Sequence, residues 1–180
     1  MSICPFVTNL KFVDDKTLFL SYSGNPTKTL QKALDIELKE TLKGKMIINE
    51  SKCYSFIINF SKFNTGPENL QLNGKLIQPV DKMKLLGVIL SNDLKWSANT
   101  SYIYSKGNRR LYIINKLKQF GLKSDKLIKA WSTHLRPITE LSAPLWHSGL
   151  SVVDSNKLEL LKKSLNVHTW MYLHRLQMIL

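Results

Sequence analysis

The sequence is poor in cysteine, poor in acid, and has no long apolar run. Cys4 and Cys53 are far apart and form no CxxC pair, and with His134, His147, His168 and His174 they make no zinc-site spacing. Two reduced thiols of a cytosolic or nuclear chain are what remains. No stretch reaches the roughly 18 continuous apolar residues of a membrane span. No basic region leads into an apolar core near Met1, so neither a membrane anchor nor a secretory signal is expected. The scarcity of acid matters most. Thirteen Asp and Glu face 26 Lys and Arg, a net charge of +13 on 180 residues. A surplus of that size repels itself unless a polyanion neutralises it. Nucleic acid is the expected partner, with a membrane surface as the rival. What the chain does have is a globular composition: 43% hydrophobic residues, including four Trp, six Tyr and seven Phe, enough for one domain or two small ones.

Apolar spacing divides the chain near Trp96. Before it, β-formers flank Asp14-Asp15 as in a hairpin. Leu30, Leu34, Leu38 and Leu42 predict a helix from Lys28 to Lys43, closed by Gly44. A strand region is expected over Cys53 to Phe60, and a polar loop from Asn64 to Asn69. Asn73-Gly74, between Leu70-Gln71-Leu72 and Lys75-Leu76-Ile77, is a type I′ hairpin signal. Lys84 to Leu90 reads as one further strand. After Trp96 the period becomes helical. Ile103, Gly107, Leu111, Ile114 and Leu117 share one side of a helix over Ser97 to Phe120, stopped by Gly121. A third helix starts at Ser124 or Asp125 and is interrupted at Pro137, Pro144 begins a turn, and a last helix runs from Ser155 with Leu158, Leu161, Leu165 and Tyr172 in phase. The expected fold is α+β: a small antiparallel sheet with one or two covering helices over 1–96, then a bundle of three to four helices over 97–180.

Three stretches carry a family resemblance. Phe12-Val13-Asp14-Asp15 resembles the aromatic-x-Asp-Asp box of reverse transcriptases. Lys84-Leu85-Leu86-Gly87-Val88-Ile89-Leu90, followed by Leu94-Lys95-Trp96, is similar to the "LGV…LKW" segment of LINE-like elements. Arg109-Arg110-Leu111-Tyr112, Leu135-Arg136-Pro137 and Pro144-Leu145-Trp146-His147-Ser148-Gly149-Leu150 resemble the thumb of the same family. Order and spacing agree over nearly the whole chain. The resemblance implies the C-terminal part of a non-LTR retrotransposon reverse transcriptase: a partial palm over 1–96 and a thumb-like domain over 97–180. It further implies Asp14 as a Mg²⁺ ligand supported by Asp15, and Lys52 as the group protonating pyrophosphate. Leu86, Gly87 and Val88 would form the primer-grip region. The implied partners are an RNA and DNA primer–template duplex and the upstream part of the same polyprotein.

The chain departs from the family in ways that bear on chemistry. The Asp-Asp box begins at residue 14, so the second metal-binding carboxylate and the fingers are expected to be missing. Phe12 stands where the family usually has Tyr. Two-metal phosphoryl transfer clamps attacking and leaving oxygens between ions about 4 Å apart. One hairpin tip supplies only part of such a cage. The expected protein is therefore an RNA-directed DNA polymerase fragment, inactive alone. The alternative is a non-catalytic basic nucleic-acid-binding or structural module. Read without the resemblance, Asp14 and Asp15 are solvated turn residues and Lys52 a solvated cation. Lys106, Arg109, Arg110, Tyr112 and Lys116 form a candidate backbone-tracking stripe on the first long helix of the C-terminal half, against the plainer reading of a solvated face.

Overall fold

Side-chain alternation builds the first element. In the computed structural model, which describes residues 7–22, 26–60 and 69–163, Val7–Phe12 (β1) and Asp15–Leu20 (β2) pair antiparallel from Val7 opposite Leu20 to Phe12 opposite Asp15. Val7, Asn9, Leu18 and Leu20 lie on the covered face, whereas Leu10, Phe12 and Phe19 lie on the open one. Thr27–Lys43 (α1) follows. Its buried positions are Ala33 and Glu37, while Leu30, Leu34 and Leu38 are half-buried and Leu42 is exposed. The leucine stripe is thus displaced from the buried line. A four-residue spacing drifts by about 40° per step around a 3.6-residue helix, so Leu42 has left the covered side.

Glu37 can be buried because it is paired. Asn9 donates a 2.9 Å hydrogen bond to it from β1, and Lys16 of β2 forms an ion pair with it. An amide clasp ties the other end of α1 to Gln71–Leu72 (β4). Gln31 donates to the Gln71 carbonyl and accepts from the Gln71 N–H, both at 2.9 Å. Asn73 and Gly74, with φ of 51° and 77°, turn β4 into Lys75–Leu76 (β5), as Asn-Gly predicts. Tyr54–Phe56 (β3) is shorter than the strand expected there, and it pairs parallel with Gln78–Val80 (β6). The described strands therefore form separate two-stranded pairs, not one antiparallel sheet. Pro79 has no N–H to extend β6 into a wider ladder.

The chain divides into two compact units, Met1–Asp81 and Lys82–Leu180. The expected boundary at Trp96 is instead the change of element type, since Ser97–Gln119 (α2) begins there. The preceding strands belong with the helices. The run expected as one strand is a hairpin of Lys82–Leu85 (β7) and Val88–Ser91 (β8). Leu86 and Gly87 hold φ of 47° and 91°, the positive pair a type I′ turn requires. Val88 is buried with Ile103 of α2, and the side chain of Asn99 accepts from the Ile89 N–H at 3.1 Å.

Two apolar clusters line α2. Val88, Ile103, Trp146, Leu158 and Leu161 gather along one stretch, and Leu111, Ile114, Leu127 and Leu135 along the next. The partners come from Ser124–His134 (α3), Arg136–Glu140 (α4), Ala143–Trp146 (α5) and Val152–Lys163 (α6). Burying each such aliphatic side chain contributes about 1.5–3 kcal/mol. Ser124 and Asp125 lie inside α3, because its first backbone bond runs from Leu127 to the Lys123 carbonyl. The last helix starts three residues before Ser155, where Ser151 accepts from the Asp154 N–H and donates to its carboxylate. Pro137 and Pro144 each sit in the first turn of a short helix, where a missing N–H costs nothing. Leu165 and Tyr172 lie outside the described residues. The fold is mixed α+β. No described helix is long and apolar enough to cross a membrane.

Candidate nucleic-acid interface

Asp14 and Asp15 stand at the turn from β1 into β2, both exposed. Val13 precedes them at φ 53°, a left-handed conformation that a β-branched residue rarely takes. Asp15 lies on the open face of the hairpin with Phe12. Lys52 ends a 3-10 turn, Glu50–Lys52, and is exposed, with no hydrogen bond or ion pair to either aspartate among the described residues. Its neighbour Glu50 is engaged elsewhere, at 2.6 Å from Lys75 Nζ and 2.8 Å from Asn73 Nδ2. The Lys75 hydrogen bond, then that of Asn73, holds the Glu50 carboxyl below the usual carboxylate range. Partial burial, then the Glu50 charge, pushes the Cys53 thiol up, which keeps it a protonated thiol.

Asp14 and Asp15 are the carboxylates that the tip itself offers a cation. No group of three His, Cys, Asp or Glu side chains converges among the described residues. Glu37, the α1 carboxylate that meets the hairpin, is 4% exposed and taken by Lys16 and Asn9.

The second unit carries the charge. Helix α2 holds Lys106, Arg109, Arg110, Lys116 and Lys118, and not one Asp or Glu in its 23 residues. Positions 102, 106, 109, 113 and 116 recur at helical spacing and place Tyr102, Lys106, Arg109, Ile113 and Lys116 on one face. Arg110 and Tyr112 flank it. The buried residues Ile103, Gly107, Leu111 and Ile114 occupy the opposite side. Lys106, Arg109, Arg110 and Lys116 are exposed, and no carboxylate lies within ion-pair distance of any of them among the described residues. Lys116 leans over the exposed Tyr112 ring at 5.7 Å and donates to Gln119.

The primer-grip candidates separate. Leu86 and Gly87 form the β7–β8 turn and Val88 is core, so only the turn presents a surface. Sequence reading passed over two neighbours. Lys84 reaches from β7 over the ring of Tyr102, 4.9 Å from its centroid, and Lys106 reaches the same ring from α2 at 5.1 Å. The ammonium of Lys84 first, then that of Lys106, beside the phenol holds Tyr102 below the usual phenol range. Tyr102 precedes Lys106 by one helical turn, a signal present in the sequence. The placement of Lys84 is tertiary and is not. Of the four tryptophans read as core, Trp146 is buried, Trp96 and Trp131 are partly buried, and Trp170 lies outside the described residues.

No family model matches the chain, and no curated protein or solved structure shows significant similarity to it.

Proposed function

We propose that this chain is the Asp-Asp-box and thumb portion of a LINE-like RNA-directed DNA polymerase, and that its own contribution is to grip a primer–template duplex without catalysing synthesis. The observation that carries the proposal is α2, a 23-residue helix with four cations, Lys106, Arg109, Arg110 and Lys116, on or beside one exposed face and no acid in its length to neutralise them. An ordinary solvated helix face interleaves both signs, because opposite charges three or four residues apart stabilise it. Tyr102 to Lys116 spans about 21 Å along the helix, the rise covered by roughly six phosphates of one strand at 3.4 Å each. Binding of this kind is sequence-independent and steeply salt-dependent, since it releases counterions. The family resemblance supplies the identity of the duplex, and Mg²⁺ belongs to the intact polymerase.

Anisotropy titration of a labelled RNA–DNA duplex over a salt series tests this reading. Arg109→Glu with Lys116→Glu should weaken binding to every sequence alike and reduce the salt slope by about two. Unchanged affinity at low salt in the folded double variant overturns it.

A further inference from the structure

We infer that Lys84, Tyr102 and Lys106 form a phosphate clamp at the junction of the β7–β8 hairpin with α2, where Lys84 joins the first turn of the charged face. Two ammonium groups from different elements converge on one phenol, at 4.9 and 5.1 Å from its ring centroid. Two like charges brought to one place repel each other. Among the described residues no carboxylate lies within ion-pair distance of either lysine. The arrangement is held from outside. Ile89, paired with Lys84 across the hairpin, is tied through its N–H to the buried Asn99, one turn before Tyr102 on α2. Adjacent Val88 is buried against Ile103. Lys84 is thus aimed by the hairpin register, and Lys106 by the helical turn after Tyr102.

Two ammonium groups gathered at one ring, with its phenol hydroxyl, supply the donors that a phosphate group accepts from. A phosphate there replaces repulsion with charge-assisted contacts to the two lysines and draws them from the phenol, whose ionisation they favour. The ligand class is a phosphate group, supplied by a nucleic-acid strand or by a free phosphate or pyrophosphate. For the strand source the inference rests on the polyanion-binding reading of α2.

Two measurements on the full chain test it. Spectroscopic titration of tyrosine should reveal one phenol ionising below the others, absent in Tyr102→Phe, and ligand should move that ionisation to higher pH. Movement with inorganic phosphate or pyrophosphate supports the clamp and assigns it a free ligand. Movement with duplex alone supports it and assigns a backbone phosphate. In the duplex salt series, Lys84→Gln and Lys106→Gln should each take about one from the slope. Neither lysine is buried, so folding should persist by circular dichroism. A Tyr102 ionisation indifferent to all three ligands, with an unchanged Lys84→Gln slope, overturns the clamp. If that occurs while Arg109→Glu with Lys116→Glu still weakens binding, the grip by α2 stands and only the clamp is lost. If the double variant binds like the parent while Lys84→Gln loses affinity, the reverse holds.

Discussion

At the tip of the first hairpin, Val13 keeps φ at 53° with 72% of its surface exposed. Nothing in its packing requires valine. Left-handed backbone at a non-glycine residue costs about 1–3 kcal/mol, whereas glycine costs roughly 0.5–1 kcal/mol through unfolded-state entropy. Strain exceeds entropy, so Val13→Gly should stabilise the chain by about 1 kcal/mol in urea denaturation. A loss of stability would show that the strain has been overstated. Glu50 offers a test of a different kind. Lys75 and Asn73 hold its pKa below the unfolded value, so the carboxylate is favoured in the fold. Its contribution is therefore present above the unfolded pKa and is lost as pH falls through the lowered folded value. Glu50→Gln should flatten that part of the acid limb of a stability–pH profile by lowering stability at neutral pH, leaving the most acidic end little changed. An acid limb identical to the parent's would assign the dependence to other carboxylates.

Helix ends show how the same chemistry succeeds at one element and sits a residue out of place at another. α2 closes with Gly121 at φ 81°, the Gly121 N–H reaching Lys118 and the Leu122 N–H reaching Leu117, a complete Schellman motif. α1 closes in the same way, with bonds from Lys45 to Leu42 and from Met46 to Thr41, but there the left-handed residue is Lys45 at φ 55°, not Gly44. Lys45→Gly should raise stability by about 0.5–1 kcal/mol, the left-handed penalty less the entropy of glycine. A neutral result in thermal unfolding would mean the end frays before the rest melts. Gly107 is constrained by space instead. A Cβ there would come within 2.7 Å of Leu161 Cδ1, a side chain only 1% exposed. Overpacking at about 1–3 kcal/mol outweighs the roughly 1 kcal/mol of helix propensity that alanine brings. Gly107→Ala should destabilise, and less so in a Leu161→Val background; simple additivity would refute the contact. These elements also mark what the sequence makes legible. Asn73-Gly74, Gly121 and the period of Ile103, Gly107, Leu111 and Ile114 encode their own geometry within a few residues. The Leu86-Gly87 turn was hidden because the apolar run continues through it, and Leu is a poor signal for positive φ. Lys84 over Tyr102, and Glu37 beneath Lys16 and Asn9, depend on how one element lies against another, which no local spacing reports. The α2 charge stripe was legible because one helix carries all of it. Asp14 and Asp15 were legible as a hairpin tip by their β-forming flanks.

For the molecule as a whole, the charge and the chemistry point in different directions. A net charge of +13 and an acid-free α2 favour holding a duplex. Synthesis needs more, because two-metal transfer draws its rate from positioning and from charge stabilisation in a fixed cage. Here Asp14 and Asp15 project from a single exposed hairpin. Mg²⁺ accepts one or two carboxylates when substrate phosphates complete its shell, but it demands near-ideal octahedral geometry. Of the described carboxylates that might help, Glu37 is buried against Lys16 and Asn9, Glu50 is held by Lys75 and Asn73, and Glu40 lies exposed on α1. No third ligand converges on the tip among the described residues. Losing that preorganisation costs many powers of ten in rate. The purified chain, given Mg²⁺ or Mn²⁺, a primed RNA template and all four deoxynucleotides, should therefore retain the duplex and extend no primer. Extension that vanishes in Asp14→Ala would establish that a second carboxylate reaches the hairpin from elsewhere, from another part of the chain or from a second copy. Extension that survives Asp14→Ala would instead place the chemistry outside the hairpin altogether.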